Sequence, residues 1–208
     1  MFLRKKNELN IWQSVSDLMT GLVIIFLFIS ILYVAQSRHV VYQYKEVNNQ
    51  IYEDLMSEFT PEELNEYGAE IDKNELVIRF QSDKLFANNE KTVNQSFKNL
   101  LEHFWPRFAK IALNEKYADD IKEIRIEGHS SKVGTYEYNL NVSQERARNT
   151  LLEIRKMDEE NREKIESKVT AAGFSYSRPR ETVDASRRIE FKIVTDSDKV
   201  LDKLYDGL

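Results

Sequence analysis

Ile121-Lys122-Glu123-Ile124-Arg125-Ile126-Glu127-Gly128-His129-Ser130-Ser131, followed shortly by Tyr138-Asn139-Leu140-Asn141-Val142-Ser143-Gln144-Glu145-Arg146-Ala147, is the stretch on which the fold turns. From Ile121 to Glu127, isoleucines are interleaved with charges, the pattern of a strand with one packed face and one polar face. Gly128 punctuates its end. From Val142 to Met157 the period changes to that of a helix, with Ala147, Leu151 and Ile154 inward, although Thr150 and Leu152 blur the face.

Working upstream, Glu75-Leu76-Val77-Ile78-Arg79-Phe80 is rich in β-formers and reads as a strand. Asn94 to Phe108 places Phe97, Leu100, Leu101, Phe104 and Trp105 at helical spacing. Thr60-Pro61-Glu62-Glu63 has the form of an N-cap with proline at the first helical position, opening a short helix through Tyr67 that Gly68 stops. Downstream come a helix centred on Lys164, a strand over Ser167 to Ala172, and the alternating strand Arg188-Ile189-Glu190-Phe191-Lys192-Ile193-Val194. The acidic tail from Asp196 to Leu208 reads as a helix or a frayed end. The order predicts an α+β fold, an α/β sandwich with helices on one face of the sheet.

The N-terminal part is of another kind. From Leu9 to Ser37 the only charge is Asp17, in Trp12-Gln13-Ser14-Val15-Ser16-Asp17-Leu18-Met19-Thr20-Gly21-Leu22. The run exceeds the roughly 20 apolar residues that cross a bilayer, so a single transmembrane helix is expected over 11–37. A charged aspartate at mid-helix costs roughly 2.5 to 3.5 kcal/mol on insertion scales, and acids retained there usually mark ion paths. Alternatively the helix starts at Leu18, with Asp17 and Ser16 capping it from the headgroup layer. Ile11, Trp12 and Val15 continue the apolar character upstream and place Asp17 about 7 to 8 Å inside a span that opens near Trp12. Arg4, Lys5 and Lys6 put residues 1–10 in the cytoplasm and everything beyond Ser37 outside it. The run is too long for a cleaved signal peptide. After the span, Val40, Tyr44, Val47, Ile51 and Leu55 form an apolar stripe. It reads as a coiled-coil seam, a plug, or a helix packed on its own domain. Residues 38–72 are accordingly expected as a juxtamembrane linker, 73–195 as the folded domain and 196–208 as a tail.

Composition excludes several functions. Charged residues make up 31% of the 208, with a formal net charge of -5, and the mean hydropathy is -0.55, so most of the chain lives in water. No basic block points to nucleic acid. The absence of cysteine rules out disulfides, thiolate metal sites and a catalytic thiol. His39, His103 and His129 are scattered, with no triad order, carboxylate pair or metal spacing. Neither an enzyme nor a cofactor or metal is expected.

Gly128-His129-Ser130-Ser131 with Asn139-x-x-Val142-Ser143-x-x-Arg146-Ala147 resembles the core motif of OmpA-like peptidoglycan-binding domains, a G-H-T-D turn followed by N-x-x-L-S-x-x-R-A. Leu85-Phe86-Ala87, Gly173 with Arg178-Pro179, and Ser186-Arg187-Arg188-Ile189-Glu190, where the family has N-R-R-V-E, agree in order. The resemblance implies that Arg146 holds a stem-peptide carboxylate, that Asn139 donates and accepts beside it, and that Tyr138 and Val142 form an apolar wall. The family acid falls at Ser131, which cannot pair with an ammonium. Arg187 and Arg188 are read as one paired inward and one facing solvent.

A single span carrying Ser-Asp-Leu-Met-Thr-Gly ahead of such a domain is similar to the B subunits of MotA/MotB-type stators, and most similar to the ZorB branch of Zorya anti-phage systems. This implies that Asp17 carries the coupling ion, proton or sodium. Ser14, Ser16 and Thr20 are either relays to it or merely bonded to the preceding turn. It further implies an inner-membrane protein with a periplasmic C-terminal domain. Its expected partners are peptidoglycan, a second copy of the chain and a pentameric ring of MotA/ZorA-like A subunits. A flagellar stator subunit and a passive membrane-to-wall tether are the alternatives.

Overall fold

The computed structural model describes residues 2–81, 85–86 and 90–196, with the backbone alone at residues 2–11, 40 and 43. The chain divides into two compact units, the first ending at Lys45 and the second running from Glu46 to Ser197. In the first unit, helix α1 (Phe2–Glu58) passes through Asp17 without interruption, so Asp17 is not a cap. Its side chains from Leu18 to Phe28 stand largely exposed. An 18-residue window of mean hydropathy 2.6 has no buried part, which is long and apolar enough to cross a membrane.

The second unit is a five-stranded sheet, β1 (Ala69–Asp72), β2 (Val77–Gln81), β3 (Ile121–His129), β4 (Val169–Gly173) and β5 (Arg188–Thr195), in the order β1-β2-β5-β3-β4. All neighbours are antiparallel except β3 and β4. The helices are α2 (Pro61–Tyr67), α3 (Gln95–Ala112), α4 (Tyr136–Met157), α5 (Arg162–Lys168) and α6 (Val183–Ser186). Ile78 and Phe80, Ile124 and Ile126, and Ile189, Phe191 and Ile193 form one sheet face. They pack against Phe97, Leu101, Phe104, Trp105 and Phe108 of α3 and Ala147 and Ile154 of α4. Phe104 meets Phe80 and Phe191 edge-on at 4.9 and 5.0 Å, the geometry aromatic quadrupoles favour.

The caps follow the expected chemistry. Thr60 Oγ1 accepts from Glu63 N at 3.3 Å and Gly68 ends α2 at φ 64, while Asn94 Oδ1 accepts from Phe97 N at 2.7 Å to open α3. The strand β1 is not announced by the sequence, because Glu70 and Asp72 charge a four-residue stretch. They pair with Arg79 on β2, at 3.7 and 3.0 Å. Ala87 of the Leu85-Phe86-Ala87 piece and residues 197–208 of the tail lie outside the described residues.

From Val47 onward, the stripe after the apolar run belongs to the domain's own core. Ile51, Leu55 and Phe59 are fully buried, with Val47 packed beside them. Phe59 lies 5.3 Å from Phe104, Tyr117 donates its hydroxyl to Asp54 at 2.7 Å, and Arg107 bonds Glu58 Oε1 at 3.1 Å while stacking 4.5 Å over Phe59. The folded unit therefore begins at Glu46, not at residue 73. Residues 51–59 are no free linker or plug, because their apolar face is already covered. Leu55→Ala is expected to lower stability by about 2 to 5 kcal/mol, the cost of a core cavity. Chemical denaturation of the solubilised full chain checks this, and a loss below the range would return the segment to a linker.

Candidate functional site

The site is built where β3 ends, α4 begins and the β4–α6 loop returns. Glycines set the spacing: a Cβ on Gly128 would fall 2.0 Å from the Ser143 carbonyl oxygen, and one on Gly173 2.4 Å from Gln144 N. The backbone of α4 thus touches both strands at its middle turns. Gln144 Oε1 accepts from Gly173 N at 2.7 Å and its Nε2 donates to Ala171 O at 3.3 Å, clipping the helix to the sheet edge. Ser143 Oγ donates to Leu140 O and accepts from Ser175 N, both at 3.0 Å. Ser175, buried at a positive φ of 50, in turn accepts from Ser130 N at 2.8 Å.

The helix starts at Tyr136, capped by Thr135, not at Val142 or Ser143 as the motif reading placed it. Polar residues in its first turns hide the period. Tyr138, Asn139, Val142 and Arg146 therefore all lie on one helix, at spacings that bring Tyr138, Val142 and Arg146 to one face. Tyr138 is half exposed and the other three are buried. Asn139 spends both N–H bonds locally: Nδ2 donates to Val133 O at 2.9 Å and Thr135 O at 3.0 Å, closing the loop before the helix. Arg146 donates Nε to Glu90 O at 2.9 Å and stacks 4.8 Å above Phe86. Burial, and then the nearby Arg187 guanidinium, push the Arg146 pKa below its ordinary value, against an opposing effect of Tyr138.

Four more residues take part in the candidate site: Phe86, Ser130, Ser131 and Arg187. Phe86 is the platform for Arg146. Ser131, buried, accepts from Arg187 Nε at 3.1 Å, so Arg187 faces the site and not solvent. Ser130 Oγ is buried without a hydrogen-bond partner among the described residues. The departures from the family motif, at Ser131 and in Ser186-Arg187-Arg188, were the available signal.

The opposite sheet face carries paired charges. Glu127 and Glu190 sit directly across β3 and β5. His129 Nε2 lies between them, 3.4 and 3.5 Å from their oxygens, long for hydrogen bonds. His129 stacks on Phe174 at 5.3 Å. Arg178 bonds Glu127 at 2.6 Å, while Arg188 and Arg79 reach Glu190 at 2.6 and 3.0 Å. The three groups Glu127, His129 and Glu190 have the donor types and proximity of a metal site, but guanidinium cations already neutralise both carboxylates. Arg188 is thus the inward, paired arginine of its pair. Burial opposes ionisation of Glu190, and contact with His129 and Arg188 overcomes it, holding the carboxyl far below the usual range; Glu127 is shifted the same way by His129 and Arg178.

Along α1, Thr20 Oγ1 donates to Ser16 O at 2.8 Å, the bond to the preceding turn. Ser14 and Ser16 make no side-chain hydrogen bond among the described residues.

No family model matches the chain. The Zorya protein ZorB of Escherichia coli strain Crooks is 36% identical to it, across 97% of this chain and 95% of its own length. The chain belongs to the ZorB family. A second Zorya protein ZorB, from Escherichia coli O139:H28, is 22% identical over 88% of this chain and 79% of its own. Among solved structures, a MotB-like protein of Desulfovibrio vulgaris superposes with a TM-score of 0.51 at 19% identity, over 75% of this chain and 96% of that one. The folded domain of this ZorB chain thus shares its fold with that MotB-like protein. In the sequence of this ZorB chain, one helix long and apolar enough to cross a membrane precedes that domain.

The carboxylate network predicts a sign for acid stability. Both folded pKa values lie below the ordinary value of 4.5, so the stabilisation is present above that pH and is lost as pH falls through and below it. Glu190→Gln is expected to be clearly less stable than the parent at pH 7, with the difference narrowing below pH 4.5. Denaturation midpoints across pH measure this, and a difference that widens in acid contradicts it.

Proposed function

We propose that this chain is the wall-anchored B subunit of a proton-driven stator in anti-phage defence, with Asp17 as the proton carrier. The observation that carries this reading is that α1 runs without interruption through Asp17, the only charge between Leu9 and Ser37, in a ZorB-family chain. An acid capping a helix from the headgroups has water as its neighbour. An acid along the apolar run is retained at a cost unless it has work to do.

In this reading the N-terminus is cytoplasmic, as Arg4, Lys5 and Lys6 favour, and the domain from Glu46 is periplasmic. Two copies place their spans within a pentameric ring of A subunits. Asp17 takes a proton from the outer side, loses its charge, and changes its preferred contact with the ring; release to the cytoplasm restores the charge. One elementary charge crossing 100 mV supplies about 2.3 kcal/mol, enough to bias a two-state contact. The bond from Thr20 to Ser16 supports a structural role for Thr20, leaving Ser14 and Ser16 as the candidate relays.

Torque needs a fixed point, and peptidoglycan is its source here. Arg146, held by Phe86 and the Glu90 carbonyl, is oriented to take a stem-peptide carboxylate. Tyr138 and Val142 line its face, and Asn139 acts by shaping the loop. Family membership favours defence over flagellar motility. A passive tether is the reading that the Asp17 experiment separates.

Asp17→Asn keeps the shape and removes the titrating group. It is expected to assemble with the A-subunit ring, as read by co-purification, and to lose phage protection. Retained protection means a tether. Arg146→Ala is expected to reduce retention of the full chain on purified sacculi by about tenfold, the loss of one charge-assisted contact of about 1.5 kcal/mol. Unchanged retention means that the wall is held elsewhere.

A further inference from the structure

Inside the domain, buried charges are matched by opposite ones: the Arg79 and Arg188 guanidinium groups by Glu190, and the Glu127 carboxylate by Arg178. At the rim of the wall-binding site the pattern breaks. Arg187, half-buried, donates Nε to the neutral Ser131 hydroxyl at 3.1 Å. It makes no ion pair among the described residues. Its charge bears on Arg146, whose pKa it lowers. Next to Ser131, the buried Ser130 hydroxyl has no hydrogen-bond partner among the described residues. Like charges held together at a partly dehydrated rim are stabilised by an anion. An ammonium brought to the same place meets two guanidinium groups, and the Ser131 oxygen there is already engaged by one of them.

Resting on the wall-anchoring reading, we propose that this site recognises stem-peptide carboxylates through Arg146 and Arg187 and selects against a free amine beside them. Its preferred ligand is the stem peptide whose diamino-acid amine is acylated, as it is within a cross-link. A carboxylate at position 131 would pair with a free ammonium; Ser131, hydrogen-bonded to Arg187, reverses that preference.

The test uses the full chain in detergent and two synthetic probes. These are an alanyl-γ-glutamyl-diaminopimelate tripeptide with its side-chain amine free, and the same tripeptide with that amine acetylated. The acetylated probe is expected to bind at least about threefold more tightly at low ionic strength, the scale of one partly exposed like-charge contact. The advantage shrinks with added salt. Ser131→Asp is expected to reverse the preference. Arg187→Gln, which leaves position 131 untouched, is expected to abolish it while weakening both probes. Equal or tighter binding of the free-amine probe by the parent chain overturns the proposal. If neither probe binds but sacculi still retain the chain, the proposal fails and wall anchoring stands. If sacculi do not retain the chain either, the anchoring reading itself has failed.

Discussion

The close approach of α4 to β3 and β4 is the constraint on which the domain depends. With no Cβ at Gly128 and Gly173, the helix backbone comes into contact with the strands near Ser143 and Gln144. That contact fixes the height and rotation of the helix. Arg146, less than a turn further on, is thereby aimed over Phe86, and Ser175 is drawn under the first turns. Overpacking a site of this kind costs typically 1 to 3 kcal/mol, and here it would also move Arg146 and the other side chains of the candidate site.

The two faces of the sheet use electrostatics differently. The helix-covered face is dominated by apolar packing around Phe80, Phe104 and Phe191. On the other, Glu127 and Glu190 are buried and paired with arginines, and His129 lies between the two carboxylates. Buried ion pairs of this kind add little net stability over apolar packing, but leaving one member alone is costly. The network therefore pins the strand ends and the loop carrying Arg178 to one arrangement. Ser130 and Ser131 follow the end of β3 and Arg187 precedes the start of β5, so their placement is inherited from those pinned strand ends.

Much of the fold was legible. Alternation in β5, the helical spacing of α3, and the Thr60-Pro61 and Gly68 signals of α2 are local patterns, and local physics produced them as read. What escaped had a physical reason. The strand β1 is short and its Glu70 and Asp72 look like loop residues until Arg79 is placed opposite them. The start of α4 was misplaced because its first turns are polar on most sides, and the Thr135 cap is not followed by an apolar run. Of the residues the motif names for the candidate site, Tyr138, Val142 and Arg146 share one face of α4, while the Asn139 side chain serves its own loop.

By itself, the sequence determined a membrane-length apolar helix containing one acid, an α+β domain after it, and the motif residues that line its candidate site. These follow from periodicity, charge and glycine placement along neighbouring positions. Only the tertiary structure decided that Ile51, Leu55 and Phe59 belong to the core, that Arg187 turns toward Ser131, and that Glu127 and Glu190 share His129. Each of those facts joins groups carried on different elements, and no pattern of spacing encodes which of several equally apolar or equally charged partners a side chain will meet once the elements have packed.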